Sequence, residues 1–141
     1  MPPADLLVTD ATASEAFDSL RRDPDARLID VRTRAEWAFV GVPDLGGVSE
    51  PILVEWQTYP MMAVDPAFGE VLERTCPDKT AALYFLCRSG ARSLAAAREM
   101  RARGYTRVFN VTDGFEGPPD HAGHRGTVAG WKASGLPWRQ T

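Results

Sequence analysis

The chain is expected to be an α/β domain with a mostly parallel sheet, on three observations. Short apolar runs of strand length alternate with stretches of helical spacing. The helical stretches open on capping signals and close on glycine or proline. One run, Leu83-Tyr84-Phe85-Leu86, is apolar throughout, as expected of a strand covered on both faces. In such a sheet the crossovers are right-handed and helices cover both faces. The ligand crevice then lies beyond the carboxyl ends of the strands.

Taken in order, Leu6-Leu7-Val8 is a candidate first strand. Thr12-Ala13-Ser14-Glu15 forms a capping box, and Ala13, Ala16, Phe17 and Leu20 follow at helical spacing, with Pro24 after the helix. Arg27 to Val31 has the length and branching of a strand. Thr33 and Glu36 make a second capping box, for a helix ended by Gly41 and Pro43. Ile52-Leu53-Val54 is a third strand candidate, and Trp56 to Met62 has aromatics and methionines without a period. Asp65-Pro66 places an N-cap before a first-turn proline, for a helix to about Arg74. Ala81 to Leu86 is a strand, Ser93 to Arg103 a helix capped by Gly104, and Val108 to Val111 a last strand. Gly114 to Gly130 is a long loop dense in glycine, proline and charge, a length that tends to be functional or mobile. A short helix is expected near Val128 to Ala133.

Residues 1–141 fit one domain with a core of real size. The net charge of −3 gives no global attraction to nucleic acid. The basic residues cluster locally instead, at Arg88, Arg92, Arg98, Arg101, Arg103 and Arg107. Two cysteines, Cys76 and Cys87, do not make a disulfide framework. No run approaches the roughly 18 apolar residues of a membrane span, and no signal-peptide pattern opens the chain. The expectation is a cytoplasmic protein with reduced thiols, acting without nucleic acid or membrane.

The chemistry concentrates at Cys87. A buried strand delivers this cysteine to a turn, Arg88-Ser89-Gly90-Ala91-Arg92-Ser93, that opens a helix. Amides at a helix N-terminus favour a thiolate, and two guanidinium groups in the turn add to that field. Cys87 is therefore a candidate low-pKa nucleophile. The spacing is Cys-x4-Arg, whereas cysteine-dependent phosphatases use Cys-x5-Arg, and position 93 is serine. A shorter ring of amides suits a sulfur atom on the cysteine better than a tetrahedral phosphoryl group. If the strands are placed correctly, the turn at Arg32, the Trp56 segment and the stretch after Thr112 meet around Cys87.

Cys87-Arg88-Ser89-Gly90-Ala91-Arg92-Ser93 resembles the active-site loop of the rhodanese family, the single-domain sulfurtransferases. Leu28-Ile29-Asp30-Val31-Arg32 with Glu36-Trp37 resembles the family's first signature. Gly104-Tyr105, Val108 to Val111, Gly114-Phe115, Gly130-Trp131 and Gly135-Leu136-Pro137 extend the likeness from about Val8 to Pro137. The resemblance implies a five-stranded, mainly parallel sheet flanked by helices, and a persulfide on Cys87. Such a persulfide would take sulfane sulfur from a small anionic donor such as thiosulfate and give it to cyanide, a thiol or a protein acceptor, with no cofactor. Arg88, Ser89, Gly90, Ala91, Arg92 and Ser93 are then expected around the substrate, the arginines attracting oxyanions and the serines donating hydrogen bonds. Asp30 and Arg32 are expected to brace the loop as an ion pair.

Two departures from the family pattern stand out. Gly41-Val42-Pro43-Asp44 lacks a histidine common there, and Glu116 to Thr127, with His121 and His124, extends the minimal fold. The histidines are expected in a solvated loop and not at a metal. Two other readings remain open: a sulfur-relay or binding module active only with a partner, and a phosphatase or arsenate reductase.

Overall fold

The computed structural model describes residues 7–140. Five strands make the main sheet: β1 (Thr9–Ala11), β2 (Arg27–Asp30), β4 (Ile52–Leu53), β7 (Leu83–Leu86) and β8 (Val108–Val111). Their order is β1-β8-β7-β2-β4, and every pairing is parallel. Four helices connect them: α1 (Ala13–Arg22), α2 (Arg34–Val40), α3 (Phe68–Thr75) and α4 (Ala91–Ala102). Two antiparallel pairs complete the fold, β3 (Val42–Pro43) with β9 (Trp138–Arg139), and β5 (Gln57–Thr58) with β6 (Ala63–Val64). The expected five-stranded α/β architecture is present.

The period of two along each strand divides the core. Leu28, Tyr84, Leu86 and Val111 face one side, against Ala13, Ala16 and Leu20 of α1 and Trp131 of the tail. Ile29, Leu83, Phe85 and Val108 face the other, against Phe68 and Leu72 of α3 and Ala96, Ala97 and Met100 of α4. Helices thus cover both faces, which is why β7 is apolar at every position. Tyr84 and Phe109 stack across β7 and β8 with ring centroids 4.4 Å apart.

Local signals held where they are self-contained. Both capping boxes form, Thr12 with Glu15 and Thr33 with Glu36. Several boundaries differ from the sequence expectation, among them the start of β7, at Leu83 rather than Ala81. The first strand is Thr9–Ala11 rather than Leu6 to Val8, of which Leu6 lies outside the described residues. Pairing with Phe109 to Val111 selects this polar stretch. Asp65 caps a turn ahead of α3, accepting from the Ala67 amide at 2.9 Å, and the helix starts at Phe68. The helix α4 begins at Ala91, two residues before Ser93, so Ser93 lies inside it and Gly90 is the N-cap. Val128 to Ala133 forms turns and no helix. Gly130, at φ +106°, packs on the Gly117 amide and the Asp113 carbonyl, a backbone path that a helix does not take.

Candidate active site

Because the sheet is parallel, its strands release their chains at one edge. Cys87 leaves β7 there and precedes the N-terminus of α4. It is 1 % exposed. Its Sγ accepts the Gly90 amide at 3.1 Å and lies 3.2 Å from Ser93 Oγ. The turn requires Gly90. Its φ is +107°, and a Cβ there would sit 2.6 Å from the Thr112 carbonyl oxygen on the strand-end beside it.

The loop residues divide by environment. Arg88, Ser89 and Ala91 are exposed. The Arg88 carbonyl accepts the amides of Glu116 and Gly117 at 3.1 and 3.0 Å, and the Cys87 carbonyl accepts that of Phe115 at 2.8 Å. The base of the long loop is therefore bonded directly to the cysteine turn. Arg92 faces α2, where its guanidinium donates two hydrogen bonds to Glu36, at 2.6 and 2.9 Å. Burial alone would raise the Glu36 carboxyl, but the hydrogen bonds and charge of Arg92, with those of Thr33, outweigh it and hold it below the usual range. The same pairing raises Arg92. Ser93 is fully buried and reaches three partners: Cys87 Sγ, the Gly90 carbonyl at 3.2 Å and Asn110 Oδ1 at 2.5 Å.

Asp30 and Arg32 form a fully buried ion pair at 2.7 Å. Arg32 Nη2 also donates to the Gly41 carbonyl at 2.8 Å, and its guanidinium lies over the Phe115 ring at 4.2 Å. The pair ties the end of β2 to Gly41 and to Phe115, whose amide donates to the Cys87 carbonyl.

Of the three segments expected around Cys87, two are bonded directly to its turn. The Arg32 turn reaches the loop through Glu36 and Arg92, and the stretch after Thr112 reaches it through Gly90, Cys87 and Arg88. The Trp56 segment follows β4, the edge strand beside β2, and packs against the apolar cluster that contains Cys87. Trp56 donates its amide to the Val31 carbonyl at 3.2 Å and packs edge-on to Phe68.

The long loop is tied to itself by Asp120, whose carboxylate accepts from the Ala122 and His124 amides and from Thr127 Oγ1. His121 and His124 are exposed, and among the described residues no three His, Cys, Asp or Glu side chains are grouped to hold a metal. Cys76 lies at the opposite edge of the sheet, in the wall of a cavity of about 190 Å³ shared with Arg27 and Asp78. Burial pushes its thiol up, away from the reactive thiolate.

Three residues carry more than the sequence reading assigned to them. Glu36 was legible as half of a capping box and as part of the first signature, but not as the partner of Arg92. Asn110 was legible only as a residue of the last strand and of its likeness, not as a neighbour of Ser93. Asp113 clasps two distant amides, those of Ala13 at 2.8 Å and Gly130 at 3.2 Å, and joins α1 to the tail beside the site.

The family described as the STR4 middle domain matches residues 8–141. The chain is similar to Rv0390 from M. tuberculosis, whose crystal structure superposes with a TM-score of 0.85 at 44 % identity, covering 95 % of this chain and 98 % of that one. It is 36 % identical over 135 residues to the uncharacterized protein RC0915 of Rickettsia conorii, covering 95 % of this chain and 99 % of the relative. A protein of Allochromatium vinosum named sulfurtransferase is 28 % identical over 131 residues, covering 93 % and 94 %. The fold and the cysteine turn define a rhodanese-like protein. Within that class, the chain belongs to the STR4 middle-domain family.

Proposed function

We propose that the protein is a sulfurtransferase carrying sulfane sulfur as a persulfide on Cys87. The observation that carries this reading is the position of Sγ: one sulfur atom, at the mouth of a parallel sheet, accepting the Gly90 amide at the start of α4. A charge on sulfur there is favoured by the amide and by the helix N-terminus. The spacing supports sulfur over phosphoryl transfer, since Arg92 follows the cysteine by five residues and is engaged by Glu36. The name of the Allochromatium relative points the same way.

The chemistry runs in two displacements. The Cys87 thiolate attacks the outer sulfur of thiosulfate, the S–S bond breaks, and sulfite leaves with the electron pair. Cys87 then bears a persulfide with its charge on the outer sulfur. Cyanide or a thiolate attacks that outer sulfur, forms thiocyanate or a new persulfide, and returns the electron pair to the Cys87 thiolate. Arg88, exposed at the turn, supplies positive charge to a dianionic donor.

The test is thiocyanate formation from thiosulfate and cyanide by the purified protein and by Cys87→Ala. Turnover confined to the wild type supports the reading. No transfer from thiosulfate, polysulfide or an organic persulfide contradicts it.

A further inference from the structure

Asn110, on β8, does not touch Cys87 in any hydrogen bond, yet it governs the group that does. Ser93 has a single hydroxyl proton and three neighbours able to accept it: Asn110 Oδ1 at 2.5 Å, the Gly90 carbonyl at 3.2 Å and Cys87 Sγ at 3.2 Å. The orientation of the Asn110 amide is fixed from its other end. Its Nδ2 donates to the Gly90 carbonyl at 3.2 Å, and turning the amide over would set two oxygens against each other there. Oδ1 therefore faces Ser93. Two oxygens 2.5 Å apart require a proton between them, and an amide oxygen has none to give. The Ser93 proton lies on that line.

We infer that Asn110 is a positioning residue for the Cys87 chemistry, turning the Ser93 hydroxyl so that it presents a lone pair, and not its proton, to the sulfur. In that orientation Ser93 accepts from the Cys87 S–H and opposes the free thiolate. It opposes the persulfide less, because there the charge sits on the outer sulfur and the inner sulfur carries no proton. The Ser93 hydroxyl thus weighs against the bare thiolate more than against the loaded cysteine, opposite to the pull of the Gly90 amide and the helix N-terminus. All the participants are held: Ser93 is 0 %, Cys87 1 % and Asn110 4 % exposed. The charged groups around them are Arg88 in the turn, Arg92 on α4 with Glu36 of α2, and the Asp30–Arg32 pair at the end of β2. Asn110 and Thr112, which approach from β8 and the chain just beyond it, carry no charge.

The inference rests on Cys87 being the reacting thiol, but its test uses no sulfur donor, so its failure and a failure of sulfur transfer are separate results. The thiolate ultraviolet absorbance is titrated with pH in the whole protein, with Cys87→Ala as the blank. In Asn110→Ala the Ser93 hydroxyl is released, and a thiolate competes better for it than the Gly90 carbonyl does. The midpoint should fall by about one pH unit, roughly tenfold more thiolate at a given pH below it. In a Ser93→Ala background the same Asn110→Ala change should produce no further shift. A midpoint that stays or rises in Asn110→Ala, or a shift that persists without Ser93, overturns the inference. Should Asn110→Ala not fold, Ser93→Ala alone decides by sign. Removing an acceptor of the thiol proton lowers the midpoint, whereas a rise or no change means that Ser93 was not serving as that acceptor.

Discussion

The Arg92 guanidinium and the Glu36 carboxylate meet in a two-pronged pair, at 2.6 and 2.9 Å, across 56 residues of sequence. The pair is about one-fifth exposed on each side, so it is neither a surface contact nor a fully desolvated one. Glu36→Gln should cost about 1–3 kcal/mol at neutral pH, between the values for exposed and buried pairs. The pH dependence has a definite sign. The folded carboxyl titrates below its ordinary 4.5, so its contribution is complete above that value and is lost as pH falls through the folded one. Urea denaturation of both proteins from neutral to acid pH should show the gap closing below pH 4.5.

Asp30 and Arg32 are both fully buried. Asp30→Ala removes the carboxylate and leaves a buried guanidinium whose Nη1 already lacks a partner. The cost should be about 3–5 kcal/mol, well above that of Glu36→Gln. Equilibrium denaturation ranks the two variants. A smaller effect for Asp30→Ala would mean that Arg32 relaxes to water.

Gly90→Ala should destabilise by about 1–3 kcal/mol from the left-handed backbone alone. Its Cβ would also press on the Thr112 carbonyl oxygen, 2.6 Å away, and shift the amide that reaches Sγ. Sulfur transfer should therefore fall by more than the folded fraction does. Activity measured beside a thermal melt separates the two effects.

Arg88 is the arginine of the turn that stays exposed, while Arg92 is spent on Glu36. Arg88→Ala should raise KM for thiosulfate severalfold with a smaller change in kcat. The difference from wild type should shrink as salt is raised, because attraction at an exposed charge is screened. Steady-state kinetics at two ionic strengths checks both.

Much of the fold was legible because its signals are local. Thr12 with Glu15 and Thr33 with Glu36 are boxes complete within four residues, and the doubly covered β7 announces itself by being apolar at every position. The cysteine turn was legible for the same reason. What escaped is set by pairing across the chain. Thr9 and Asp10 are exposed and polar, and form a strand because Phe109 and Asn110 lie beside them. The hairpin of Gln57–Thr58 and Ala63–Val64 has strands too short to show a period. Val128 to Ala133 has helical residues but is held in turns by Gly130, and by Trp131, whose Nε1 donates to the Pro137 carbonyl at 2.6 Å. In the site, Cys87 and Ser93 could be read from one turn, whereas Asn110 and the partnership of Glu36 with Arg92 depend on neighbouring elements that only the folded chain brings together.

The central claim, a persulfide on Cys87, is tested most directly by mass. The protein is reduced, cleared of reductant, exposed to thiosulfate and measured intact, then digested to locate the change. The expected result is the gain of one sulfur atom on the peptide bearing Cys87, reversed by a thiol reductant and absent from Cys87→Ala. No gain with any sulfane donor, or a gain that survives Cys87→Ala, contradicts the claim.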